Sequence, residues 1–201
     1  MLVNPRSIII GVFLFILLPA ATLGQSNRQY RTARNYVRLL HEGTLLVKLH
    51  QRTITTQRLR DRKMYKKAEE LEATQALENR DIYEAFTTIY TFSDVLFYYA
   101  DDQHKVDQRE FTGIFLDNNF KRDSSIVLKD TINFFIADIG EIFFPAFGEH
   151  MEGFLVTYRN EYPPGKPFPS VIRKRSGFAI IERTPFDIVK AFEKKLKSLG
   201  Y

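Results

Sequence analysis

Thr44-Leu-Leu-Val-Lys-Leu49, then a stretch from Thr55 to Tyr90 without glycine or proline, then Val95-Leu-Phe-Tyr-Tyr-Ala100: these three segments follow one another in the chain. Their order decides the fold. The first is a short apolar run opened by Gly43 and rich in strand formers, which predicts a buried strand. The second is filled with Ala, Leu, Glu, Gln and Lys, and predicts the longest helix, bent at most. The third is again short, aromatic and apolar, and stops at Asp101-Asp102. Strand, long helix and strand in that order form a βαβ unit.

Downstream, the pattern continues as short apolar runs between polar turns. Gly113-Ile-Phe-Leu116 ends in Asp117-Asn-Asn119, Ile132-Asn-Phe-Phe-Ile-Ala137 ends in Asp138, and Phe154-Leu-Val-Thr-Tyr158 ends at Arg159. Each reads as a strand of a mostly buried sheet. Residues 162–169 carry four prolines and cannot sustain a hydrogen-bonded ladder, so they form an extended connection into an edge strand at Val171-Ile172. Thr184 as N-cap, Pro185 in the first helical position and Asp187 three residues after the cap open a last helix. Its Ile188, Phe192 and Leu196 are spaced by four and face the sheet, and Gly200 stops it. The expected class is α/β (or α+β): a mixed sheet of about five strands, packed by one long helix and a C-terminal helix.

Upstream, Arg6 precedes the apolar run Ile8 to Leu18, which ends at Pro19 and small residues up to Gly24. That is the anatomy of a secretory signal peptide over residues 1–24, and the run is short for an uncleaved anchor. Residues 25–201 then make one domain: a helical lead-in over 25–42, strand plus long helix over 43–90, and a Phe-rich sheet with the C-terminal helix over 91–201. Every Phe after the leader lies at or beyond Phe86, so the dense core belongs to the second half. The chain has no Cys. Disulfides, thiolate metal sites, a cysteine nucleophile and a cysteine lipid anchor are all excluded. A thiol-free chain behind a leader is expected in the periplasm or outside a bacterial cell.

Charge is unevenly spread. From Gln25 to Arg80 there are 13 Lys/Arg against 6 Asp/Glu, and beyond Arg80 the balance is mildly acidic. A solvated helix face accounts for this where Lys and Arg interleave with Glu; an anionic envelope component is the functional alternative, and nucleic acid is a poor partner for a secreted chain. An envelope protein is the other partner class, and contact with a membrane is expected only through a leader that stays uncleaved.

No dinucleotide fingerprint, Walker loop, zincin helix, nucleophile elbow or EF-hand loop is present. The chemistry that remains is carried by acids and a histidine at the ends of apolar runs. If the strands run parallel, His50, Asp101, Asp102, Asp117 and Asp138 converge beyond their carboxyl ends, where α/β sheets bind ligands. Such a set would take Mg²⁺ or Ca²⁺ and support a metal-dependent hydrolysis. Against this, Asp and Asn are ordinary turn residues, and Asp117-Asn118-Asn119 has the composition of a hairpin turn that would carry Asp117 to the opposite edge. Glu141, Glu149, His150 and Glu152 form a second local cluster in what reads as a polar loop.

The cadence of Glu42-Gly-Thr-Leu-Leu-Val-Lys-Leu49, Val95-Leu-Phe-Tyr-Tyr99, Gly113-Ile-Phe-Leu-Asp117, Phe134-Phe-Ile-Ala-Asp-Ile-Gly140 and Pro167-Phe-Pro169 resembles a group of uncharacterised secreted proteins of Gram-negative bacteria. The resemblance implies a single exported domain and assigns no site residue. The favoured expectation is a non-enzymatic binding or interaction module of the cell envelope; the alternative is a metal-dependent hydrolase, the only reading that brings in a cofactor.

Overall fold

The computed structural model describes residues 31–128, 133–144, 148–161, 163–175 and 182–200. The leader, Ile132 and Tyr162 lie outside the described residues. A helix over residues 31–41 (α1) leads into β1 (Thr44–Leu49), α2 (Thr53–Asp61), α3 (Tyr65–Ile89), β2 (Asp94–Tyr99), a short α4 (Gln103–Gln108), β3 (Phe134–Phe144), β4 (Glu149–Tyr158), β5 (Val171–Arg173) and α5 (Pro185–Ser198). The sheet has five strands in the order β2-β1-β3-β4-β5. β1 is parallel to both of its neighbours, and β3, β4 and β5 are successively antiparallel. The α/β expectation with a mixed sheet holds, and the βαβ unit is β1, α2–α3, β2.

β1 reads as an unbroken apolar run because it is covered on both faces. Leu45, Val47 and Leu49 point to one core, with Phe97 of β2, Phe135 of β3, Phe154 of β4 and the helical side chains Val37, Phe86 and Phe192. Leu46 points to the other, with Tyr98, Phe134 and Ile136 of the sheet and Val106, Phe111, Ile114 and Phe115 of the β2–β3 connection. The phenylalanine-rich second half supplies most of both cores, as its composition predicts. On the helical face, the Phe154 and Phe192 rings meet edge-on at 4.8 Å and Tyr90 stacks on Phe192 at 5.9 Å. α5 opens on the expected capping box, in which Thr184 accepts from the Asp187 N–H and the Asp187 carboxylate accepts from the Thr184 N–H. It is pinned by buried Glu193, which accepts from the Thr91 hydroxyl at 2.7 Å and the Thr91 N–H at 3.2 Å and pairs with Lys197.

Four expectations are corrected. The stretch from Thr55 to Tyr90 is not one helix: Lys63 adopts φ 58, and the chain turns between α2 and α3. The segment Gly113 to Leu116 makes only isolated antiparallel bridges, Tyr98 to Phe115 and Leu116 to Arg122. Residues Glu149 to Glu152 are not a loop but the first half of β4, paired with β3. Asp138 does not end its strand: β3 continues to Phe144, and Asp138 marks only the last register pair with β1, opposite Lys48.

The reason for the α2–α3 turn is a length mismatch. A helix of 25 residues extends about 37 Å, whereas the six residues of β1 extend about 20 Å. The C-terminal half of α3, with Ile82, Ala85 and Phe86, covers the sheet. Its N-terminal half overhangs the carboxyl ends of the parallel strands and has no sheet beneath it. α2 folds back along this overhang, tied by Arg60 to Glu72 at 2.8 Å and more loosely by Arg52 to Glu78 at 3.8 Å.

Gly43 admits the close approach that starts β1. A Cβ there would sit 2.2 Å from the Asn133 carbonyl oxygen and 2.7 Å from that of Leu39, both backbone atoms. Gly43→Ala is therefore expected to destabilise the fold by about 3 kcal/mol, the upper range for overpacking; a urea midpoint within experimental error of the wild type would contradict the packing described.

Candidate functional site

The chain leaves β1 toward β2 and leaves β3 toward β4, so the strand order reverses between adjacent β1 and β3, at the carboxyl end of β1 where its pairing with the middle of β3 stops. Open α/β sheets bind ligands in the crevice at such a point. Here the period of a strand sets the residues: Leu46 and Lys48 share one face of β1, and Phe134, Ile136 and Asp138 share the same face of β3. Register places Lys48 opposite Asp138. The Lys48 ammonium pairs with Asp138 Oδ2, and His50 Nε2 lies 2.7 Å from Asp138 Oδ1.

Asp138 is almost wholly buried, and burial alone would raise its pKa. The His50 hydrogen bond and the Lys48 charge outweigh that and hold the carboxyl below the ordinary range. As an ionised carboxylate it only accepts, so His50 Nε2 carries the proton and donates. In the neutral ring the lone pair is then on Nδ1. The same carboxylate, after burial, pushes the phenol of nearby Tyr98 upward.

The remaining sequence-predicted acids do not join this group. Asp101 follows β2 at the same edge but accepts from the Thr53 hydroxyl at 2.9 Å, fastening the start of α2 to the end of β2. Asp102 is buried and held by Arg122 at 2.8 Å and Lys105 at 3.0 Å, two cations that outweigh its burial and lower its pKa. Asp117 accepts from the N–H groups of Lys121 and Asn119 at 2.8 and 2.9 Å, as an Asx-type turn does, and these bonds lower its pKa. Its segment runs antiparallel to β2, which carries it away from the carboxyl edge. In the second cluster, Glu141 stands opposite Glu152, whose carboxylate is 3.4 Å from Lys174, and the His150 ring packs on Phe143 at 5.2 Å. Among the described residues no three His, Asp or Glu side chains are placed to hold a metal ion. The set His50, Asp101, Asp102, Asp117 and Asp138 thus reduces to one pair, His50 and Asp138, with Lys48 as a third member.

Beside this pair opens a cavity of about 760 Å³, bounded by the residues after β1, the end of β2, α2 and the overhanging half of α3. Its walls carry Gln51, Thr53, Gln57, Gln75 and Asn79 as hydrogen-bonding groups, Arg60 with its partner Glu72, Arg80 as a second cation, and Tyr99 and Phe120 as aromatic surface. Asn79 donates to the His50 carbonyl at 2.7 Å and so joins the cavity wall to the ion group. That bond fixes the Asn79 Oδ1 as an acceptor, which takes the Gln75 amide proton at 3.3 Å. Gln75 Oε1 is then a buried acceptor with no donor among the described residues. Arg80 lies over the Phe120 ring at 5.9 Å and has no carboxylate partner among the described residues.

Sequence reasoning missed this wall, although one signal was available. Gln75 interrupts a helical stripe formed by Met64, Ala68, Leu71, Ile82 and Phe86, a pattern that by itself suggests partial exposure, yet Gln75 is only 6% exposed. A polar residue in the middle of a buried stripe marks a polar neighbour, here Asn79. Nothing in the sequence brings Arg80, Tyr99 and Phe120 together, since tertiary packing alone does so.

Compared with known protein families, with curated proteins and with solved structures, the chain matches none of them.

Removing the buried carboxylate that Lys48 and His50 share leaves a partly buried cation without its partner. Asp138→Ala is expected to cost about 3 kcal/mol at neutral pH. Because the folded-state pKa of Asp138 is lowered, its contribution is complete above about pH 4 and disappears as pH falls through the lower folded value. Denaturant melts from neutral pH downward would show the difference between wild type and variant shrinking in that acid window; a constant difference would contradict it.

Proposed function

We propose that this protein is a non-enzymatic binding module exported to the periplasm or the cell exterior, and that it takes an anionic, hydroxyl-bearing envelope component in the carboxyl-edge cavity. One observation carries the reading: at the strand-order reversal, the cavity wall combines amide and hydroxyl groups, an aromatic face and an arginine without a carboxylate partner. Side-chain amides both donate and accept, and so match sugar hydroxyls. Arg80, over the Phe120 ring, offers a planar fork to a carboxylate or phosphate. The leader over residues 1–24 and the absence of thiols support export.

The metal-dependent hydrolase has less support. The carboxylates of Asp102 and Asp117 are already engaged, and a pair alone offers too few oxygens for a hard cation. Calorimetric titration with Mg²⁺, Ca²⁺, Mn²⁺ and Zn²⁺ that gave heat and a higher Tm, both lost in His50→Ala, would reverse this ranking.

For the binding module, titration with acidic oligosaccharide fragments of envelope glycans is the direct measurement. Arg80→Ala is expected to weaken binding about tenfold or more, as loss of a charge-assisted hydrogen bond does. Gln57→Ala should weaken it less. Affinity unchanged in both variants would remove the cavity from the proposal.

A further inference from the structure

The overhang of α3 has a second consequence, at its tip. Where α2 turns into α3, Arg58, Arg62, Lys63, Lys66 and Lys67 are all exposed. The acids nearby are fewer: Asp61, which accepts from Gln57 at 2.9 Å, and Glu69 and Glu70, the latter only 3.9 Å from Lys66 at its closest. Lys66 and Lys67 lie in the first turn of α3, which contains no acid, and cations there oppose the helix dipole. Their position costs helix stability, so the helix itself does not account for them.

Apolar side chains accompany the charge. Tyr65, at the tip, is 58% exposed, and Ile54, one turn before Arg58 on the same face of α2, is 70% exposed. Basic residues beside an exposed aromatic ring, with an exposed aliphatic side chain at the far end of the same α2 face, have the make-up of an interfacial membrane contact: cations meet anionic headgroups while Tyr and Ile enter the boundary layer. A soluble polyanion would use the lysines but give Tyr65 and Ile54 nothing to enter. No helix among the described residues is long and apolar enough to cross a membrane.

We infer that the α2–α3 tip is a docking surface for an anionic phospholipid bilayer, a contact separate from the cavity and from the leader. Amide hydrogen exchange of the full chain reads it locally, whatever the leader does. Vesicles of phosphatidylcholine containing phosphatidylglycerol should slow exchange over residues 58–67, and vesicles of phosphatidylcholine alone should not. Changing Lys63, Lys66 and Lys67 together to Ala should lower partitioning attributable to the tip by about 100-fold, each lysine contributing about fivefold at an anionic surface. High salt should mimic the change. Tyr65→Ala should weaken the vesicle effect, whereas Arg80→Ala should leave it intact, which separates failure here from failure of the cavity proposal. Equal protection by both vesicle types would overturn the inference. So would protection by dextran sulfate that matches the vesicle effect and is insensitive to Tyr65→Ala, since that would identify a soluble polyanion.

Discussion

The burial of β1 on both faces is the constraint from which the rest of the architecture follows. Leu45, Val47 and Leu49 on one side and Leu46 on the other all require apolar partners. A strand that needs cover on both faces is reached through crossovers, and the chain supplies helices on one face and the β2–β3 connection on the other. β1 thereby becomes the parallel centre of the sheet, and its carboxyl end becomes the place where the chain diverges. Lys48 and His50 are functional candidates because of that position.

Charge is handled in two opposite ways. Among the described residues, each buried carboxylate is matched: Asp138 by Lys48 and His50, Asp102 by Lys105 and Arg122, Glu193 by Lys197 and Thr91. Carboxylates held this way tie separate elements together, and removal of one member exposes the desolvation cost of the others. On the exposed α2–α3 overhang the cations outnumber the acids, and apart from Arg60 with Glu72 and the loose Lys66–Glu70 contact they face solvent. Part of the basic excess of the N-terminal third falls here, where residues 53–77 carry six Lys/Arg against four Asp/Glu; the larger part lies upstream, in residues 25–52.

Most of the fold was legible from the residues. Apolar run length located β1 and β2, the Thr184-Pro-Phe-Asp187 cap located α5, and the proline-rich stretch was correctly kept out of the sheet. The break between α2 and α3 was not legible, because Arg62-Lys-Met64 contains neither glycine nor proline and Lys63 enters the left-handed region without a local signal. The site was only partly legible. Position after an apolar run singled out His50 and Asp138, although Asp138 lies within β3, and the pairing with Lys48 depends on register across two strands, which separate segments of sequence do not specify. Asp117 was visible both as a strand-end acid and as a turn residue, and local hydrogen bonding to its own turn prevailed.

α3 is continuous through both the core and the cavity wall. The residues that grip the sheet, Ile82 and Phe86, and those that line the cavity, Gln75 and Asn79, belong to one hydrogen-bonded rod. Moving the wall as a lid would mean either bending that rod where no glycine or proline weakens it or levering Phe86 out of the core. The α3 side of the cavity is therefore fixed by the core, and a ligand of the kind proposed would find that wall already ordered. For the anionic ligand proposed, association would then be set by diffusion and electrostatic steering.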